Sequence, residues 1–272
     1  MAEFRHTPLR RTAPAPGLPS PTPSNTSTWP LTTLPHPRGH ALRPGSAKED
    51  KVRQFVSTRI AHISRRFLKY QSGEAQLGGD AVGYKSMTEL CKDLDELINI
   101  IWLSGTPSLQ VPYFLNIASE LNTWLKAFPP SPKPTFSILT KLDHCFASLL
   151  SGQDVDTKEV LPGFENGLKA GMSRTDMVRC RSTVQQTRVI IMDVMVEELD
   201  EDEDVEEPSQ QPTDSEADDG PTDWGRIALR VNDQEDEERH MDMARVYERT
   251  LVQLGETLKD GGGVGDIQIS DD

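Results

Sequence analysis

Between Ser46 and Leu199 the large apolar residues recur at intervals of three and four, and period-two alternation hardly appears. That spacing gathers apolar side chains on one face of a helix, whereas a half-buried strand needs alternation. The chain is therefore expected to be all-α, with about five helices packed as a bundle over residues 46–199.

Each stripe has a start or a stop beside it. Ser46-Ala47-Lys48-Glu49 has the form of a capping box and leads into Val52, Phe55, Val56, Ile60, Ile63, Phe67 and Tyr70. Ser86-Met87-Thr88-Glu89 repeats the signal ahead of Leu90, Leu94, Leu97, Ile98, Ile101 and Trp102. A third helix is expected from about Pro112, because the first turn accommodates proline, and Pro129-Pro130 stops it. A fourth is expected from about Pro134, through Phe136, Leu139, Leu142, Phe146 and Leu149. Ser173-Arg174-Thr175-Asp176 opens the fifth after a glycine-containing loop, with Met177, Val178, Val184, Thr187, Ile190, Ile191, Val194 and Met195 as its buried side.

The flanks read differently. Residues 1–45 are rich in Pro, Ser, Thr and Arg, with scattered apolar residues and few free backbone donors, which predicts a disordered arm. Residues 200–233 are expected to be an acidic disordered linker, interrupted by the short apolar island Trp224 to Val231. A C-terminal helix is expected over 234–259, where Ala244, Tyr247, Leu251, Leu254 and Leu258 form a two-heptad seam weakened by Gly255. That seam fits either docking on the chain's own bundle or binding a partner, and Tyr247, Leu251, Leu254 and Leu258 are its candidate partner contacts. Residues 260–272 read as a flexible tail.

Charge divides the chain in two. From Glu197 onward there are 26 acidic residues against 6 basic ones, a net of −20, while residues 1–196 carry 23 basic and 17 acidic, a net of +6. Such asymmetry points to an interaction arm that steers toward basic protein surfaces. The basic counterpart is the first helix, where Arg53, Arg59, Arg65, Arg66 and Lys69 are candidate nucleic-acid contacts. Ile267-Gln268-Ile269, followed by Ser270-Asp271-Asp272, has the aliphatic-then-acidic form that adds as a strand to a ubiquitin-like modifier, making Ile267 and Ile269 candidate contacts. Thr213 and Ser215 precede acids, as acid-directed kinases favour.

Catalytic signatures are missing. No Gly-Lys dipeptide exists to build a phosphate cradle, and His-Glu-x-x-His, Cys-x-x-Cys and Gly-x-Ser-x-Gly are all absent. Cys91, Cys145 and Cys180 are too widely spaced for a metal knuckle and read as buried thiols. No cofactor, metal or catalytic residue is implied. No apolar run approaches the roughly 20 residues of a membrane span.

Phe128-Pro129-Pro130-Ser131-Pro132, Leu142-Asp143-His144-Cys145-Phe146-Ala147-Ser148-Leu149-Leu150 and Ser173-Arg174-Thr175-Asp176-Met177-Val178-Arg179 together resemble a group of filamentous-fungal proteins, some of them associated with meiotic recombination. The resemblance implies an accessory role around chromosomes and carries over no functional residue. The expectation is thus a non-enzymatic nuclear adaptor, with the cytoplasm as the alternative location. Its rivals are a histone-chaperone-like protein and an enzyme whose site is assembled from distant residues.

Overall fold

The structure, a computed structural model, describes residues 34–73, 82–203 and 237–260; the side chains of 196–203 and 260 fall outside that description. So do residues 1–33, the acidic stretch 204–236 with Thr213 and Ser215, and the tail 261–272 with Ile267 and Ile269. The described residues are all-α, with one isolated bridge between Gln153 and Val160 and no strand.

Helix α1 (Ala47–Gln71) and helix α2 (Met87–Leu103) start where the sequence places them. Ser46 Oγ accepts from the Glu49 N–H at 3.3 Å, and Glu49 reaches back to the Gly45 N–H at 2.6 Å. Ser86 and Glu89 repeat this, with Glu89 accepting from the Lys85 N–H at 3.0 Å. In both, the carboxylate satisfies a donor one residue earlier than in the usual box.

Helix α3 (Pro107–Leu125) begins five residues ahead of the expected Pro112. Pro107 takes the first position, where its missing N–H costs nothing. Pro112 sits within the helix on the solvent side, so the bond it forfeits leaves a carbonyl that water reaches. Helix α4 (Pro132–Ser151) likewise starts two residues before Pro134. It stops at Gly152, left-handed at φ 71°, where a Cβ would lie 2.9 Å from the side chains of Phe164 and Leu168. A loop with a 3-10 turn at Leu168–Ala170 leads to helix α5 (Arg174–Glu203), capped by Ser173 and Asp176.

The expected C-terminal helix is two. The described part of α6 covers residues 237–245, and α7 is Glu248–Asp260. Between them Tyr247 adopts φ 55°, a left-handed conformation that bulky residues rarely take. Its carbonyl accepts from the Leu251 N–H at 3.0 Å, so the residue that ends one helix begins the next.

Residues 34–45, expected to be part of the disordered arm, lie on the domain. Leu42 is buried and donates its N–H to Thr106 Oγ1 at 2.9 Å, and Leu34 packs against the core. At the α2–α3 corner, Gly105 (φ 50°) leaves room for this strap, since a Cβ there would meet Arg38 at 2.9 Å and Pro162 at 3.1 Å. An extended proline-rich segment cannot build a core, but it can bury single apolar residues while its backbone stays in water.

One hydrophobic core joins all seven helices of the described residues. Helix α4 is its centre, because every side chain from Lys141 to Leu150 is buried. A helix surrounded on all sides must either be apolar throughout or satisfy its polar groups internally.

Candidate functional site

Helix α4 takes the second course. Lys141 Nζ donates to Asn99 Oδ1 of α2 at 3.1 Å and pairs with Asp95. Asp143 Oδ1 accepts from the Thr250 N–H at 2.8 Å and from its hydroxyl at 2.6 Å, which fixes the first turn of α7. His144 has a carboxylate oxygen against each ring nitrogen: Asp154 at 3.0 Å from Nε2 and Asp156 at 3.3 Å from Nδ1. Arg249 of α7 closes the ring by pairing with Asp156 at 2.8 Å, and Trp102 packs edge-on against the imidazole. Ser148 Oγ accepts from the Val155 N–H at 3.1 Å. The polar side chains of one buried helix thereby hold α2, the 153–160 loop and α7.

The electrostatics follow from this pairing. Burial alone would raise the Asp154 carboxyl, but the bond to His144 and the amides of Thr157 and Asp156 hold it well below the usual carboxylate range. Asp143 is pushed up, because burial outweighs the two bonds from Thr250. Burial pushes the thiols of Cys91 and Cys180 up to about 12 and that of Cys145 well above its ordinary value, so none of the three is a nucleophile at neutral pH. Among the described residues, no group of His, Cys, Asp and Glu could hold a metal ion. The network is saturated by its own members, and its chemistry is that of a clamp.

The basic face of α1 is partly committed. Arg66 donates to Asp93 at 2.7 Å and to Glu89, gives its Nε–H to the Val82 carbonyl at 2.9 Å, and lies 4.0 Å over the Tyr84 ring. Arg59 pairs with Asp93 and Glu96, Arg53 with Glu49 on its own helix, and exposed Arg65 bonds its own Ala61 carbonyl. Lys69 is half-buried. Of the five candidate phosphate contacts, Arg59 and Arg66 thus join α1 to α2.

The C-terminal seam faces inward except at Ala244, which is exposed. Tyr247 and Leu254 are buried, Leu251 packs against the core, and Leu258 is half-buried. Arg188 of α5 donates to the carbonyls of Val246 at 2.6 Å and Ala244 at 3.3 Å, placing a cation at the C-terminal end of α6. Docking on the chain's own bundle is therefore what the seam does here. On α5, by contrast, Val178 was expected inside and points outward, in line with exposed Val189 and Met192.

Spacing within an apolar stretch could have flagged Lys141, Asp143, His144 and Ser148, since no polar face is left for them. Their partners at 154, 156 and 250 leave no such trace.

Fold and site together define an all-α body closed by a central polar clamp. Residues 83–255, from the start of α2 through most of α7, match the family model TFB6, described as subunit 11 of the general transcription factor TFIIH. The match covers more than half of the chain, which belongs to this family. No curated protein and no solved structure matches it. No helix among the described residues is long and apolar enough to cross a membrane.

Proposed function

We propose that this chain is a non-enzymatic nuclear adaptor that works within a TFIIH assembly through protein contacts. The family match carries the reading, because its span 83–255 coincides with the body that the α4 clamp closes, C-terminal helix included. A clamp saturated by its own residues offers a rigid surface rather than a reactive centre. The acidic stretch from Glu197 would speed encounter with basic partner surfaces, while the folded body determines which partner stays.

Capture of the tagged full-length chain from nuclear extract, read by mass spectrometry, tests this. TFIIH subunits should be recovered in stable proportion and should survive moderate salt. Recovery of histones alone would favour a chaperone for basic proteins. Recovery of recombination proteins without TFIIH would favour the accessory chromosomal role. Either result overturns the TFIIH assignment.

A further inference from the structure

Helix α5 presents apolar residues on two opposite faces. Cys180, Val184, Thr187, Ile190, Ile191 and Met195 face the core. On the other side Val178, Val189 and Met192 are 56%, 61% and 49% exposed. With Ser182 and Gln185 between them, these outward positions are spaced four, three, four and three, the interval of a two-helix seam. A single exposed valine is ordinary, but three large apolar residues on one line call for a covering surface.

The charges along the same helix say what covers it. Residues 174–188 hold Arg174, Arg179, Arg181 and Arg188 against Asp176 alone. Residues 189–203 hold Asp193, Glu197, Glu198, Asp200, Glu201, Asp202 and Glu203 with no base. This order opposes the helix dipole, which favours acids at the N-terminal end and bases at the C-terminal end, so α5 gains no stability of its own from it. Arg179 and Arg181 are exposed and, among the described residues, make no ion pair or hydrogen bond. A helix that is basic in its first half and acidic in its second is complementary to a copy of itself running the other way.

We propose that the outward face of α5 is a homodimer contact, in which two copies of this chain cross antiparallel about a two-fold axis near the middle of the helix. Val178, Val189 and Met192 form the seam. Arg179 of each copy falls beside Asp193 of the other. The contact is isologous, so each charge pair occurs twice. In sequence the spacing runs from Val178 to Leu199, about 30 Å of helix at 1.5 Å per residue, which makes the contact modest in size and salt-dependent.

Sedimentation velocity of the purified full-length chain tests this independently of any TFIIH contact. At low salt the mass should rise from 30.3 kDa toward twice that value across the micromolar range, and about 0.5 M salt should reverse it. The pair Val189→Glu and Met192→Glu should give a monomer that melts, in 0.5 M salt, at the temperature of the equally monomeric unaltered chain, since both side chains are half-exposed or more. Arg179→Glu with Arg181→Glu should weaken association at least tenfold, as should Asp193→Arg with Glu197→Arg. Mixing those two charge-reversed proteins should restore it. A wild-type chain that stays monomeric at high concentration and low salt would overturn the proposal, as would association that survives the glutamates or a mixture that stays monomeric.

Discussion

Helices α1 and α7 are both laid on the outside of the same bundle, yet they are held by opposite means. Helix α7 is fixed from below by the fully buried bonds from Thr250 to Asp143 of α4, with the part-exposed Arg249–Asp156 pair beside them. Helix α1 is fixed from the side, through Arg59 and Arg66 on acids of α2 and through stacking of Tyr70 on Phe128 at 4.1 Å. A buried polar bond is expensive to break because the surviving partner is left unsatisfied, whereas water and salt compete with a part-exposed ion pair. Both helices send apolar side chains into the core, Val56, Ile63 and Phe67 from α1 and Leu254 from α7, but only α7 is also locked to α4 by a fully buried polar bond. The residues that match the family begin at 83 and leave α1 out.

Asp143→Ala should have the largest effect. It strands the Thr250 amide in the core and leaves the hydroxyl only the Asp143 carbonyl at 3.2 Å, and the expected loss is about 3 kcal/mol. Thermal melting should show it, and hydrogen exchange should show α7 opening with the rest of the domain. If α7 opened alone, it would not be a core element. Arg66→Met should cost less, about 1–2 kcal/mol, because its side chain keeps 13% exposure and water replaces part of what is lost. Raising salt should loosen α1 of the unaltered chain before α7, and equal loosening of both would erase the distinction.

Acid tests the clamp. Asp154 titrates lower in the folded chain than its usual value near 4, so its contribution is complete above that value and is lost as pH falls below it. Asp143, raised by burial, works in the opposite sense and recovers stability on protonation. Melting followed from pH 5 downward should therefore show a loss in the unaltered chain that Asp154→Asn reduces. The smallest effect concerns Tyr247, whose hydroxyl is buried and makes no hydrogen bond among the described residues. Tyr247→Phe should stabilise the chain by about 1 kcal/mol, a rise of roughly 2–4 °C in Tm. A fall would mean that the hydroxyl has an unseen partner.

Much of the bundle was legible because burial leaves a periodic trace. Val56, Ile63 and Phe67, or Leu90, Leu94 and Leu97, are where their spacing puts them. Start signals were harder to rank, since Pro107 and Pro112 are each acceptable in a first turn and only the α2–α3 corner decides between them. The kink at Tyr247 was hidden for another reason: no glycine marks the left-handed position, so an apolar seam read as one helix runs through it. The clamp was the least legible part. His144 and Cys145 are neighbours in sequence, but what matters is that His144 faces Asp154 and Asp156, which only the turn of the 153–160 loop brings close. The outward row of α5 escaped because Val178 and Val189 satisfy the same apolar count as a buried face.

The bond between Asp143 and Thr250 also sets a clock for synthesis. Its ends are 107 residues apart, so at 5–20 residues per second the ribosome needs roughly 5–20 s to deliver the partner of an acid already made. Until then α4 cannot be closed on all sides, and the nascent chain exposes both its apolar surface and an unmatched carboxylate. A chain truncated anywhere before residue 250 would remain in that condition for good, even with the first six helices already made.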